Sequence, residues 1–178
     1  MSRTTGIMRT QDDILTDHTI SILVNNHPGV LSKLTSLITR RGFNIDSISA
    51  GPAKDADMYR LTIIVKGDDR GVEQIQKQLY KIVDTVKVSP IDPANKVERE
   101  IGLIKLRATN GDRQEIIQLV SVFKAEIIDS GPGSFVVEIV GTSERVDSFI
   151  AMFPPQKIVE VARTGIVAMN GCEKKQTR

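Results

Sequence analysis

Between residues 19 and 91 the apolar positions switch repeatedly between a period of two and a period of three to four. Ile20, Ile22 and Val24 alternate with Thr19, Ser21 and Leu23, the pattern of a strand. From Pro28 or Gly29 onward, Val30, Leu31, Leu34, Leu37 and Ile38 recur at helical spacing. Ser32, Lys33, Ser36, Arg40 and Arg41 fill the opposite, polar face. Gly42 stands where helices stop, and Asn44 to Ala50 reads as a second strand with Ile45 and Ile48 as its apolar points. After a loop from Gly51 to Asp57, Tyr59, Leu61, Ile63 and Val65 alternate with Arg60, Thr62, Ile64 and Lys66 in a third strand. A second helical stripe, Val72, Ile75, Leu79, Ile82 and Val83, leads to a fourth strand from Thr85 to Ile91. The order βαββαβ predicts a ferredoxin-like unit.

The polar stretch 92–98, which contains Pro93, reads as a linker, and beyond it the order repeats. A strand from Ile101 to Ala108 precedes a helix from Asp112 to Lys124 with Ile116, Val120 and Phe123 inward. A strand from Glu126 to Asp129 meets the turn Gly131-Pro132-Gly133, placed as Gly51-Pro52 is in the first half. Phe135, Val137 and Ile139 mark the next strand. Val146, Phe149, Ile150 and Phe153 mark a helix stopped by Pro154-Pro155, and a last strand runs from Ile158 to Met169. The expected fold class is therefore α+β: two ferredoxin-like βαββαβ units, 18–91 and 99–170, each an antiparallel sheet with helices on one face. Residues 1–17 form a flexible extension and 171–178 a tail. A unit of about seventy residues is marginally stable alone. Strand two leaves an open sheet edge, so pairing across a two-fold axis, and hence a homodimer, is expected.

Composition narrows the function classes. Hydrophobic residues make up 40% of the chain, enough for packed cores. No apolar run is long enough to span a bilayer. The first residues lack the apolar segment of a secretory signal, and Asp12, Asp13 and Asp17 argue against a transit peptide. The single Cys172 allows neither an internal disulfide nor a cysteine metal site, which fits a reducing cytoplasm. With 24 basic and 22 acidic residues the net charge is +2, not the excess that a nucleic-acid partner calls for. Phe43, Tyr59 and Phe135 are expected in the cores rather than as base-stacking rings. His18 and His27 have no ligand partners nearby in sequence. No Ser-His-Asp or Cys-His grouping and no phosphate-binding glycine loop is present, so neither catalysis nor a metal in this chain is expected.

The turn Asn25-Asn26-His27-Pro28-Gly29 is the candidate site. A helix start offers backbone N–H groups without internal partners and a partial positive charge, a combination suited to a carboxylate. Asn26 and Asn44 carry amides able to hold an ammonium or a carboxylate. Val30, Leu31 and Ile45 supply an apolar wall. Together these suit a small apolar amino acid. From spacing alone, Asn26 reads first as a helix cap and Asn44 as a strand entry.

The segment NNHPGVLSKLTSLITRRGFNIDSIS resembles an ACT domain. N-x-P-G-V-L-S, R-R-G-F-N-I-D-S-I, VEQIQKQLYKIVDTVKV, VEREIGLIK and IVEVARTG, spread over both halves, resemble the regulatory small subunits of acetohydroxyacid synthase, also called acetolactate synthase. The resemblance implies a non-catalytic chain that binds a catalytic large subunit carrying thiamine diphosphate, magnesium and usually FAD, with no cofactor of its own. It implies that the chain raises that subunit's activity and confers feedback inhibition by valine or another branched-chain amino acid. It also implies an effector site between two ACT domains, with Asn26, Pro28, Gly29, Val30 and Leu31 of one protomer facing Asn44 and Ile45 of the other. That reverses the spacing-based reading of both asparagines. The alternative is an ACT regulator of a different enzyme or of a transcription factor.

Overall fold

The computed structural model describes residues 16–109 and 111–172, and the chain divides between Asn95 and Lys96 into two compact units. The first holds β1 (Thr16–Asn25), α1 (Val30–Arg40), β2 (Ile45–Pro52), β3 (Met58–Gly67), α2 (Asp69–Leu79) and β4 (Thr85–Pro90). Its sheet is antiparallel in the order β2-β3-β1-β4, which leaves β2 at an edge. Ile20, Ile22, Val24, Leu61, Ile63 and Val65 meet Val30, Leu34 and Ile38 of α1 and Val72, Ile75 and Leu79 of α2 in one core. Burying such side chains contributes ~1.5–3 kcal/mol each, and that packing fixes where α1 starts. Phe43 and Tyr59 pack against the same core, as the sequence predicts.

Register decides the rest. Val24 faces Tyr59 across the β1–β3 ladder and His18 faces Val65, while Ile45 faces Val65 and Pro52 faces Tyr59 across β2–β3. The start of β2 therefore lies at the sheet end remote from the β1–α1 turn.

The second unit repeats the plan with β5 (Lys96–Arg107), α3 (Arg113–Val122), β6 (Glu126–Gly131), β7 (Ser134–Gly141), α4 (Ser143–Ala151), β8 (Ile158–Arg163) and β9 (Val167–Asn170). The sheet order is β6-β7-β5-β8, with β9 on the first residues of β5. Ile104, Leu106, Val137 and Ile139 pack beneath Ile116, Val120, Val146 and Phe149. Phe149 meets Phe123 and Phe153 edge-on at 5.3 and 5.1 Å. Both units thus have the expected ferredoxin-like form.

Four boundaries differ from the sequence expectation. The extension does not reach residue 17, because Thr16 and Asp17 already pair with Gly67 and Lys66; residues 1–15 lie outside those described. Only part of the stretch 92–98 connects the units: Pro93–Asn95 form one 3-10 turn, and Lys96 to Glu98 are strand, held by β9. The last strand is two, because Gly165 adopts φ +75° and interrupts the ladder. There Thr164 N–H donates to Ile101 O, and Thr164 Oγ1 accepts from Ile101 N–H. Val83 is not on a packed helix face: α2 ends at Leu79, and Val83 is 95% exposed in the turn beyond it. Of the tail, Gly171 and Cys172 are described and Cys172 is exposed; 173–178 lie outside.

Candidate functional site: the turn between β1 and α1

The turn is tied down by its backbone. Asn25 N–H donates to Asp84 O (2.9 Å), Asn26 N–H to Asp57 O (2.8 Å), and His27 N–H to Asn25 O (2.9 Å). Val30 N–H donates to His27 O (3.2 Å) and Lys33 N–H to Gly29 O (3.0 Å). The helix cap is Gly29 at φ +83°, and no side chain caps the helix, so Asn26 is exposed without that duty. Among the described residues, no hydrogen bond engages the backbone N–H groups of Gly29, Leu31 and Ser32. These are free donors at the positive end of α1. The need for glycine is conformational: a Cβ at Gly29 meets nothing within 4 Å, whereas a positive φ disfavours any other residue.

The apolar candidates divide. Val30, 8% exposed, belongs to the core, while Leu31, 43% exposed, lies open on the helix surface. Pro28 is exposed beside Gly29. Ile45 is half-buried against the core at the far end of the sheet. Asn44 is exposed, its Nδ2 donating to Asp46 Oδ1 at 2.6 Å. Lys66, 3.1 Å from Asp46, and then Asn44 hold the Asp46 carboxyl below its usual range.

Ile45 aligns through Val65 with His18, seven residues before Asn25 on β1. At ~3.3 Å per residue the start of β2 is roughly 23 Å from the turn. A single chain does not bring Asn44 and Ile45 to Asn26, Pro28, Gly29, Val30 and Leu31.

One feature of the turn escaped the sequence reading. Asp84, only 6% exposed, accepts from His27 Nδ1 at 2.7 Å and from Lys33 Nζ at 3.1 Å. Its backbone carbonyl holds Asn25. The His27 hydrogen bond first, then that from Lys33, lowers the Asp84 pKa from its ordinary value. One residue of the α2–β4 segment thus pins the strand end, the turn and the first turn of α1. His27 is fifty-seven residues from Asp84 in sequence, so no local spacing could have joined them. Among the described residues, no group of three His, Cys, Asp or Glu side chains is placed to hold a metal ion.

An antiparallel βαββαβ sheet with open helix-start amides at the β1–α1 turn makes the first unit a ferredoxin-like domain with an anion-binding type of turn. Residues 20–87 match the family described as AHAS small subunit-like ACT domain, and residues 99–171 match the one described as small subunit of acetolactate synthase. A probable acetolactate synthase small subunit of Archaeoglobus fulgidus is 46% identical over 158 residues, 89% of this chain and 99% of the relative. The acetolactate synthase isozyme 3 small subunit of Escherichia coli is 40% identical over 156 residues, 87% of this chain and 96% of the relative. The crystal structure of an acetolactate synthase small subunit from Thermotoga maritima superposes with a TM-score of 0.86 at 49% identity, covering 89% of this chain and 99% of that one. The chain belongs to the acetolactate synthase small-subunit family.

Proposed function

We propose that this chain is the regulatory subunit of an acetolactate synthase. It binds the catalytic large subunit, raises its activity and makes it sensitive to valine or another branched-chain amino acid. The chain itself performs no chemistry; thiamine diphosphate, magnesium and FAD belong to the catalytic partner, and the pair works in the cytoplasm. The observation that carries the reading is the set of free N–H groups at Gly29, Leu31 and Ser32, opening beside exposed Leu31. They suit the effector carboxylate, and the helix-start charge adds ~0.3–1 kcal/mol.

The remaining groups come from a second copy. If two β2 edges pair antiparallel about a two-fold axis, the Asn44 end of one strand meets the Pro52 end of the other. Pro52 is aligned through Tyr59 with Val24, next to the turn. Asn44 of the neighbour then accepts from the effector ammonium through Oδ1, and Ile45 and Leu31 enclose its side chain, contributing ~1.5–3 kcal/mol. Effector binding favours one arrangement of the dimer over another and so changes how the catalytic subunit is held. Such coupling is typically ~1–3 kcal/mol.

The test is reconstitution. Acetolactate formation from pyruvate by the catalytic subunit should rise on addition of this chain and fall again with valine. Failure of the chain to alter either rate would refute the reading.

A further inference from the structure

Beside the turn, α1 and the α2–β4 segment enclose an open groove of about 470 Å³. Its lining is Ser32, Lys33, Ser36, Leu37 and Arg40 from α1 with Lys81, Ile82 and Val83 opposite. The floor is apolar, since Leu37 and Ile82 pack on the core. The rim carries three cations and no carboxylate. Lys33 lies 3.1 Å from the Asp84 carboxylate. Among the described residues Arg40 and Lys81 have no such partner. At the lip stands Val83, 95% exposed, an aliphatic side chain that water alone surrounds.

We propose that this groove is a docking surface for an acidic segment of the catalytic subunit, one carrying carboxylates around an aliphatic side chain. The charge complementarity rests on Arg40 and Lys81, which have no acidic partner among the described residues, beside Lys33 and two serine hydroxyls on a slot whose lining includes no carboxylate. The exposed Val83 favours a protein segment over a free anion, because an inorganic anion has nothing to lay against it. Lys33 lines the groove and also pairs with Asp84, which pins the turn. A carboxylate arriving in the groove therefore competes with Asp84 for Lys33, a member of the cluster that anchors the turn.

The proposal rests on the regulatory-subunit reading, and the experiment separates the two. Association of the full chain with the catalytic subunit is measured at low and high salt for the wild type, for the double variant Arg40→Glu/Lys81→Glu and for Val83→Ser. Valine binding to each chain serves as a check of folding. The double variant should associate at least tenfold more weakly and lose most of its salt dependence, Val83→Ser should associate several-fold more weakly, and both should bind valine normally. A wild-type chain that does not associate would overturn the regulatory reading and the docking with it. Wild-type affinity in the double variant would overturn the docking alone. So would binding of inorganic phosphate to the isolated chain that the double variant loses while its partner affinity stays unchanged.

Discussion

Gly29 and Asp84 govern the turn in opposite ways, one by what it lacks and one by what it offers. Gly29 takes φ +83° at no steric cost, and it presents its own N–H beside those of Leu31 and Ser32. Gly29→Asp adds a carboxylate where an effector carboxylate is to sit. Calorimetry should then detect no valine binding, while activation of the catalytic subunit persists; normal binding would show that the effector sits elsewhere. Asp84 acts through charge. Its lowered pKa means that it stabilises the fold at neutral pH, and that this contribution fades as pH falls below ~3.9, the unfolded value, through the lower folded one. Denaturant midpoints measured from pH 6 down to pH 3 should fall more steeply for the wild type than for Asp84→Asn. Parallel curves would show that the carboxylate contributes nothing in the folded state. Gly29 was legible in the sequence as the turn glycine after Pro28 at the head of an apolar stripe. Asp84 was not, since its partners come from another part of the chain.

Elements followed the periodicity where one face was buried and departed from it where tertiary pairing took over. The stripe of α1 appears with Val30, Leu34 and Ile38 inward, whereas β3 is buried on both faces from Leu61 to Val65, Thr62 and Ile64 included. The stretch Ile158 to Met169 read as one strand because Ile158 to Ala162 and Ile166 to Met169 are both mostly apolar, with Arg163-Thr164-Gly165 between them. The positive φ of Gly165 divides it: β8 pairs with Gly102 to Leu106 of β5, and β9 with Lys96 to Arg99 of the same strand. At that break Arg163 donates to buried Glu100 through Nε (2.8 Å) and Nη2 (2.6 Å), and through Nη1 to Asp147 (2.6 Å), joining β8 to β5 and α4. Glu100 is 4% exposed. Arg163→Ala leaves that carboxylate buried without its cation and should cost about 3 kcal/mol, the low end for broken buried pairs because the guanidinium is partly solvated. Urea unfolding of the variant measures this; a change under 1 kcal/mol would mean that water replaces the arginine.

At the scale of the whole molecule, the edge strand β2 decides whether the proposed effector site can be completed. Ile48 lies mid-strand on that edge and is partly exposed. Ile48→Lys places a charge where two edges are to meet, so sedimentation should show a monomer that no longer binds valine. A dimer retained with full valine affinity would move the interface elsewhere. By itself the amino-acid sequence determined the two βαββαβ units, the stripe of each helix, the turn ahead of α1 and the glycine that opens it. These depend on spacing and backbone preference within a few residues, and such information is local. Tertiary structure alone decided the Asp84 anchor, the division of the last strand, the groove beneath Val83, and the roughly 23 Å that keeps Asn44 from Asn26 within one chain. Each of those depends on which distant segments the register and the core bring side by side, and no periodicity along the chain encodes that.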